Sequence, residues 1–256
     1  MEFFVAPNSI VRQIWGKADT ILFIFAGAAA EFALNKAVDW LYYTGKLPSD
    51  PIGRLFSTVR YARVIVFSEK QQAHQAIDKM GAIHSALEAG RGLRIPDWAY
   101  RDVLFMLIHY SIASFELLER KLSKEEKEEV FDVFFRVGDR MGLKGLPRTY
   151  EAWCGMRAEH LQQNLEKTHY TTDLFRQYKK HLGPMRYAVL KQAQMLVVPQ
   201  RVSNLLGFGT FALLKPAVPV YRLSRKLKLD WLIKKVLLPP DYKAQIRELD
   251  VRHHNQ

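Results

Sequence analysis

The chain has 256 residues, of which 48% are hydrophobic and 12% aromatic, so it can bury a sizeable core and is not disordered. Its single cysteine, Cys154, excludes an intramolecular disulfide and a cysteine-based zinc or iron–sulfur site. The net charge of +12 favours anionic partners, but no nucleic-acid-binding motif accompanies that charge, so we expect no nucleic-acid partner.

The first long apolar run covers residues 21–30 and ends at Glu31. A membrane-spanning helix needs about 20 apolar residues, so this run predicts a buried helix instead. The first four residues lack the basic start of a secretory signal. We therefore expect a cytoplasmic protein, with any membrane contact peripheral, and without a signal peptide or a transmembrane helix.

Helical periodicity runs through almost the whole sequence, and no stretch alternates convincingly as a strand. Helix boundaries are predicted by the following signals: Asp50 with Pro51, capping boxes at Ser68–Gln71 and Ser123–Glu126, Gly90–Gly92 followed by Pro96, Thr149 with Glu151, Thr171–Asp173, and Gly183 with Pro184. We predict one all-α domain, a multi-helix bundle over residues 1–200 with a basic, apolar-rich helical tail over residues 201–256.

The helix predicted from about Trp98 to Lys121 is apolar nearly all round between residues 103 and 112, which is typical of a central helix in a bundle. It carries His109, and Glu116 follows two turns later on nearly the same side. This spacing allows an internal His109–Glu116 hydrogen bond that fixes helix packing. The alternative is that His109 binds a cofactor.

The predicted tail mixes cations with leucines and a tryptophan. Its positive charge is concentrated in Arg222, Arg225, Lys226, Lys228, Lys234 and Lys235. Such a segment fits a helix that lies on an anionic membrane surface, and it equally fits the solvated face of a terminal helix.

Arg54 and Thr58 are spaced i, i+4 in the helix that begins at Pro51, so they share one face with Tyr61. An arginine beside an apolar stripe is most often a structural ion pair or a side chain that extends its charge to solvent. The functional alternative is a polar pair inside a buried pocket.

His84 lies in line with Ala73, Ile77, Met80 and Leu87 on one helix face. A lone histidine on such a face is usually a core residue with satisfied hydrogen bonds. It can also be a metal ligand, since haem requires a single protein ligand whereas catalytic zinc usually takes three. No HExxH motif is present to support zinc.

Several of these segments occur together in a recognisable order and resemble the rubber-oxygenase catalytic domain family, which includes latex clearing protein and the MpaB-type oxygenases. The resemblance covers roughly residues 20–200. It rests on residues 50–55 with Thr58, residues 64–67, Ile83-His84-Ser85-Ala86 with Gly90, residues 104–114 including His109, and Leu146-Pro147-Arg148-Thr149.

The resemblance implies a globin-reminiscent bundle that binds haem b, with His84 matching the axial iron ligand and Arg54 and Thr58 matching the polar pair on the distal side. His109 is the competing ligand, and motif position favours His84. The implied reaction is an oxygenation with O2, such as oxidative cleavage of a C=C bond in a hydrophobic, isoprenoid or lipid-like substrate.

Two departures from the family pattern matter. Ser57 stands where rubber-cleaving members have a lysine, which argues against polyisoprene as the substrate. The acidic residue proposed as a base in those members has no clear counterpart here, and Glu31 is named only as a guess. A non-catalytic lipid-binding or peripheral membrane protein with the same helical bundle remains the alternative.

Overall fold

The computed structural model describes residues 2–43, 45, 49–209 and 212–226, without the side chains of Leu55 and of residues 224–226. These residues form a helical bundle without a β-sheet, which confirms the predicted all-α class; two isolated β-bridges join Phe3 to Glu69 and Asn35 to Leu165. The helices are α1 (Ile10–Trp15), α2 (Ala18–Phe32), α3 (Asp39–Tyr43), α4 (Pro51–Phe67), α5 (Lys70–Arg91), α6 (Asp97–Leu118), α7 (Lys124–Arg140), α8 (Tyr150–Gln163), α9 (His169–Val197), α10 (Gln200–Leu206) and α11 (Ala217–Lys226).

Three of the predicted helix starts are confirmed by their capping bonds. The Asp50 carboxylate accepts from the Gly53 N–H at 2.8 Å, and the Ser123 side chain and Glu126 form a complete capping box. Thr149 caps α8 through the Ala152 N–H. The box predicted at Ser68 is wrong, because Ser68 instead closes α4 by donating its N–H to the carbonyl of Val64.

The long helix α9 contains the break predicted at Gly183. This glycine has a φ of +73°, a conformation that L side chains rarely adopt, and Pro184 follows it. The start predicted at residues 171–173 is wrong, since α9 already begins at His169 with Thr168 as its cap.

Helix α6 lies at the centre of the bundle, as its apolar composition predicts. Phe105, Ile108 and Tyr110 are completely buried, and α2 packs along this helix. The two helices approach closely at Gly27, where a Cβ atom would lie 2.3 Å from the Tyr110 ring. A glycine is therefore required at this crossing.

The helices α10 and α11 belong to the predicted tail, and they pack against α8 and α6 respectively. The tail beyond residue 226 lies outside the described residues, so its division from the bundle at residue 200 remains a prediction. Among the described helices, none combines the length and the apolar composition needed to cross a bilayer.

Candidate functional site

Arg54 and His84 lie at the same level of a helical hairpin. Helices α4 and α5 are consecutive, pack against each other and are joined at Ser68 and Glu69. Arg54 stands 14 residues before Ser68, and His84 stands 15 residues after Glu69. Because both helices rise by about 1.5 Å per residue, the hairpin brings the two side chains to the same height.

His84 lies on the side of α5 that faces the protein, as its apolar stripe predicts. Ala73 and Ile77 are fully buried, and Met80, His84 and Leu87 are half-buried. The His84 ring meets the Tyr100 ring of α6 edge-on, with 5.2 Å between the ring centroids. The Tyr100 hydroxyl donates to Glu88 at 3.1 Å, which fixes that ring beside the imidazole.

The His84 imidazole is neutral, and one of its nitrogens has no partner among the described residues. Its Nδ1 is buried and has no hydrogen-bond partner within the described parts of the chain. Burial lowers the pKa of His84, and the nearby charge of Arg54 lowers the pKa further, while Glu88 opposes both effects. A neutral imidazole is the form that can donate a lone pair to a metal ion.

The side chains of Arg54 and Thr58 are exposed, which corrects the expectation of a polar pair in a buried pocket. The physical reason is the helix face, because α4 turns Ile52, Val59 and Ala62 inward. The Thr58 hydroxyl donates to the carbonyl oxygen of Arg54 at 3.2 Å, and the Ser57 hydroxyl donates to the same oxygen at 2.7 Å.

His109 has a different set of neighbours from His84. The expected His109–Glu116 hydrogen bond is wrong, since the Glu116 carboxylate pairs with Lys121 and Lys127. His109 instead lies near Arg157 and Glu31. Burial lowers the pKa of His109 to about 4, with Arg157 lowering it further and Glu31 opposing the shift.

Glu31 cannot serve as a free base, because a buried network uses both of its carboxylate oxygens. Arg157 donates one hydrogen bond to each oxygen, and the Tyr110 hydroxyl donates a third at 2.7 Å. All three side chains are at most 5% exposed. This network joins α2, α6 and α8 in the interior of the bundle.

A second buried network surrounds Asp102, which the sequence did not single out. The Asp102 carboxylate accepts from Asn35 at 2.9 Å and from Asn164 at 3.1 Å, and it contacts His160 Nδ1. His160 is only 7% exposed, although most of its neighbours in the sequence are polar. The i, i+4, i+7 spacing of Trp153, Arg157 and His160 was the available signal that these side chains share an inward face.

Gln194 and Ser114 are among the other buried residues whose polar atoms lack hydrogen-bond partners in the described part of the chain. Both amide atoms of Gln194 are unpaired although the side chain is fully buried, and so is the hydroxyl of Ser114. Neither residue was a sequence candidate. In the described ranges no three His, Cys, Asp or Glu side chains converge as metal ligands, whereas a haem group needs only one protein ligand.

Comparison with known families identifies one match. The model of the family described as "ER-bound oxygenase mpaB/B'/Rubber oxygenase, catalytic domain" matches residues 14–235, which is most of the chain. Neither the curated proteins nor the solved structures include a significant match.

Proposed function

Because the chain belongs to the family of mpaB/B' oxygenase and rubber oxygenase catalytic domains, we propose that it is a haem b-dependent oxygenase for a hydrophobic substrate. The family membership makes it an oxygenase-type oxidoreductase domain. We further propose the cofactor, the class of substrate and the roles of individual residues.

The observation that carries the proposal is the state of His84. Its buried Nδ1 has no partner in the described structure, and its pKa is lowered, so the ring is neutral and this nitrogen is not used by a structural hydrogen bond. An unpaired buried polar atom costs free energy, typically about 1–3 kcal/mol, unless a ligand or water satisfies it. His84 is therefore the residue that would hold the iron of haem b.

Arg54 is the second residue of the proposed site. Haem b bound at His84 would supply iron for the activation of dioxygen. The Arg54 guanidinium, at the level of His84 and exposed, can donate hydrogen bonds to a carboxylate or to another anionic group beside it.

Thr58 lies one turn from Arg54 on the same helix. Since its hydroxyl proton is given to the Arg54 carbonyl, Oγ1 is left to accept a hydrogen bond from a bound group. Ser57 is uncharged and donates to the same carbonyl, so this face lacks the additional cation of the rubber-cleaving members. We therefore propose an isoprenoid or lipid-like substrate rather than polyisoprene.

The test is the absorption spectrum of the protein purified after expression with adequate haem supply. We expect a Soret band, its loss in His84→Ala, and its recovery when imidazole is added to that variant, because free imidazole can replace the missing ligand. His109→Ala is the matched control and is expected to keep the band.

A colourless wild-type protein would overturn the haem proposal. Loss of the band in His109→Ala but not in His84→Ala would assign the ligand to His109 instead. Co-purified lipid in a haem-free protein, unchanged by His84→Ala, would support the lipid-binding alternative.

A further inference from the structure

Helix α11 and the turn before it place large apolar side chains in solvent. Leu213 is 70% exposed, Val220 is 66% exposed and Leu223 is 57% exposed. They include the two most exposed of the large hydrophobic side chains that the structure describes. We call these three residues the outer face.

Two polar residues of α11, Tyr221 and Arg222, point towards the protein body, whereas an ordinary surface helix turns its apolar residues inward. The Tyr221 hydroxyl donates to the buried Asp19 at 3.1 Å. Arg222 donates to the carbonyl oxygen of Leu117 at 2.8 Å and to that of Glu116 at 2.9 Å. Polar anchors thus hold the helix with its apolar residues outward.

The Arg222 contacts also fix the orientation of α11. Residues 116 and 117 belong to the last turn of α6, whose carbonyl groups have no partner within the helix. A guanidinium there satisfies these carbonyls and interacts favourably with the negative end of the helix dipole. These bonds hold α11 against the end of α6 and leave Val220 and Leu223 exposed.

The charge of this part of the chain is strongly positive. Residues 201–240 contain a single acidic residue, Asp230, against eight basic ones: Arg201, Lys215, Arg222, Arg225, Lys226, Lys228, Lys234 and Lys235. Lys215 is exposed, two residues from Leu213. Cations next to exposed leucine and valine are the combination that binds an anionic lipid surface.

We propose that the outer face docks the protein on an anionic phospholipid bilayer. A second copy of the chain is the weaker candidate, because stable interfaces bury about 800 Å² on each partner and three side chains cannot supply that area. Like charges on two copies would also repel each other. The docking does not depend on haem binding at His84.

The experiment is co-sedimentation of the full-length protein with vesicles of phosphatidylcholine, with and without phosphatidylserine. The test variant is Val220→Ser with Leu223→Ser, and the control is Leu93→Ser, since Leu93 is also 57% exposed but follows α5. All these side chains are exposed, so we expect unchanged circular dichroism and unchanged urea midpoints.

We expect binding to the phosphatidylserine vesicles that falls as salt rises, and a decrease of about tenfold or more in the double variant, because two apolar side chains no longer enter the interface. Leu93→Ser should bind like the wild type. Equal binding by the double variant, equal binding to pure phosphatidylcholine, or no binding at all would overturn the proposal. So would a vesicle-free dimer, seen by sedimentation, that the double variant abolishes.

Discussion

The Arg157 guanidinium donates to both carboxylate oxygens of Glu31, with Nη2 lying 2.5 Å from Oε2, although the two residues are 126 positions apart in the chain. Both side chains are almost completely buried. Such a pair is costly to desolvate and costly to break, because removal of one partner leaves a buried charge without compensation.

Arg157→Leu is therefore expected to lower the free energy of unfolding by about 3–5 kcal/mol. Adding Glu31→Gln to this variant should restore part of the loss, since the buried charge disappears and the amide can still accept from Tyr110. Urea unfolding followed by circular dichroism measures both variants.

The control for this prediction is Arg140→Ala, which breaks the exposed Arg140–Asp78 ion pair, formed at 2.7 Å. Exposed pairs contribute about 0–1 kcal/mol, so the control should remain close to the wild type. A similar small effect of Arg157→Leu would show that the buried pair contributes nothing special to stability.

The two predicted capping boxes give a second, matched pair of variants. Ser123→Ala removes the bond that the Ser123 side chain accepts from the Glu126 N–H at 3.2 Å and should cost about 1 kcal/mol. Ser68→Ala should cost much less, because the side chain of Ser68 caps neither α4 nor α5. Equal losses in urea unfolding would contradict this assignment.

Ser123 and Ser68 show which helix boundaries can be predicted from the sequence and which cannot. A capping signal is local, and the sequence predicted it correctly at Asp50, Ser123 and Thr149. At Ser68 the same signal fails, because α4 continues to Phe67 and uses Ser68 as its own C-cap. The inward-facing stripe that contains His84 could also be predicted locally, because the spacing of apolar residues within α5 is sufficient to identify it.

The buried networks could not be predicted in the same way. Glu31 and Arg157 meet only because α2 and α8 both pack against α6, and no local pattern encodes that contact. The polar sequence around His160 gives no sign that Asp102 lies against its ring. The exposure of Arg54 and Thr58 likewise follows from which face of α4 the bundle covers.

Because the pKa of His109 is lowered, we expect the free energy of unfolding to decrease at acid pH. In the unfolded chain its pKa has the ordinary value of 6.5, and in the folded protein the pKa is about 4. Between these values the unfolded state binds more protons, so stability falls as pH falls from 6.5 to 4. The loss from this one group is of the order of 3 kcal/mol, and it is absent above pH 6.5.

His109→Gln should remove this component of the acid sensitivity, because glutamine does not titrate. Urea unfolding at pH 7, 6, 5 and 4.5 measures it, and the difference in stability between pH 7 and pH 4.5 should shrink in the variant. His181→Gln, at an exposed position of α9, should retain the sensitivity of the wild type. Parallel pH profiles of His109→Gln and the wild type would show that His109 does not titrate as described.

We expect that Gln194 can be replaced by leucine without destabilising the protein. Its side chain is fully buried, and neither its amide nitrogen nor its amide oxygen has a partner in the described part of the chain. Leucine has a similar size and no polar atoms to desolvate, so Gln194→Leu should leave the free energy of unfolding unchanged or raise it by about 1–3 kcal/mol. Urea unfolding measures the change, and Ser114→Ala is a second case of the same kind.

A loss of about 2 kcal/mol or more in Gln194→Leu would mean that the amide is satisfied in solution by a bound water or ligand, because only a lost hydrogen bond would then account for the cost.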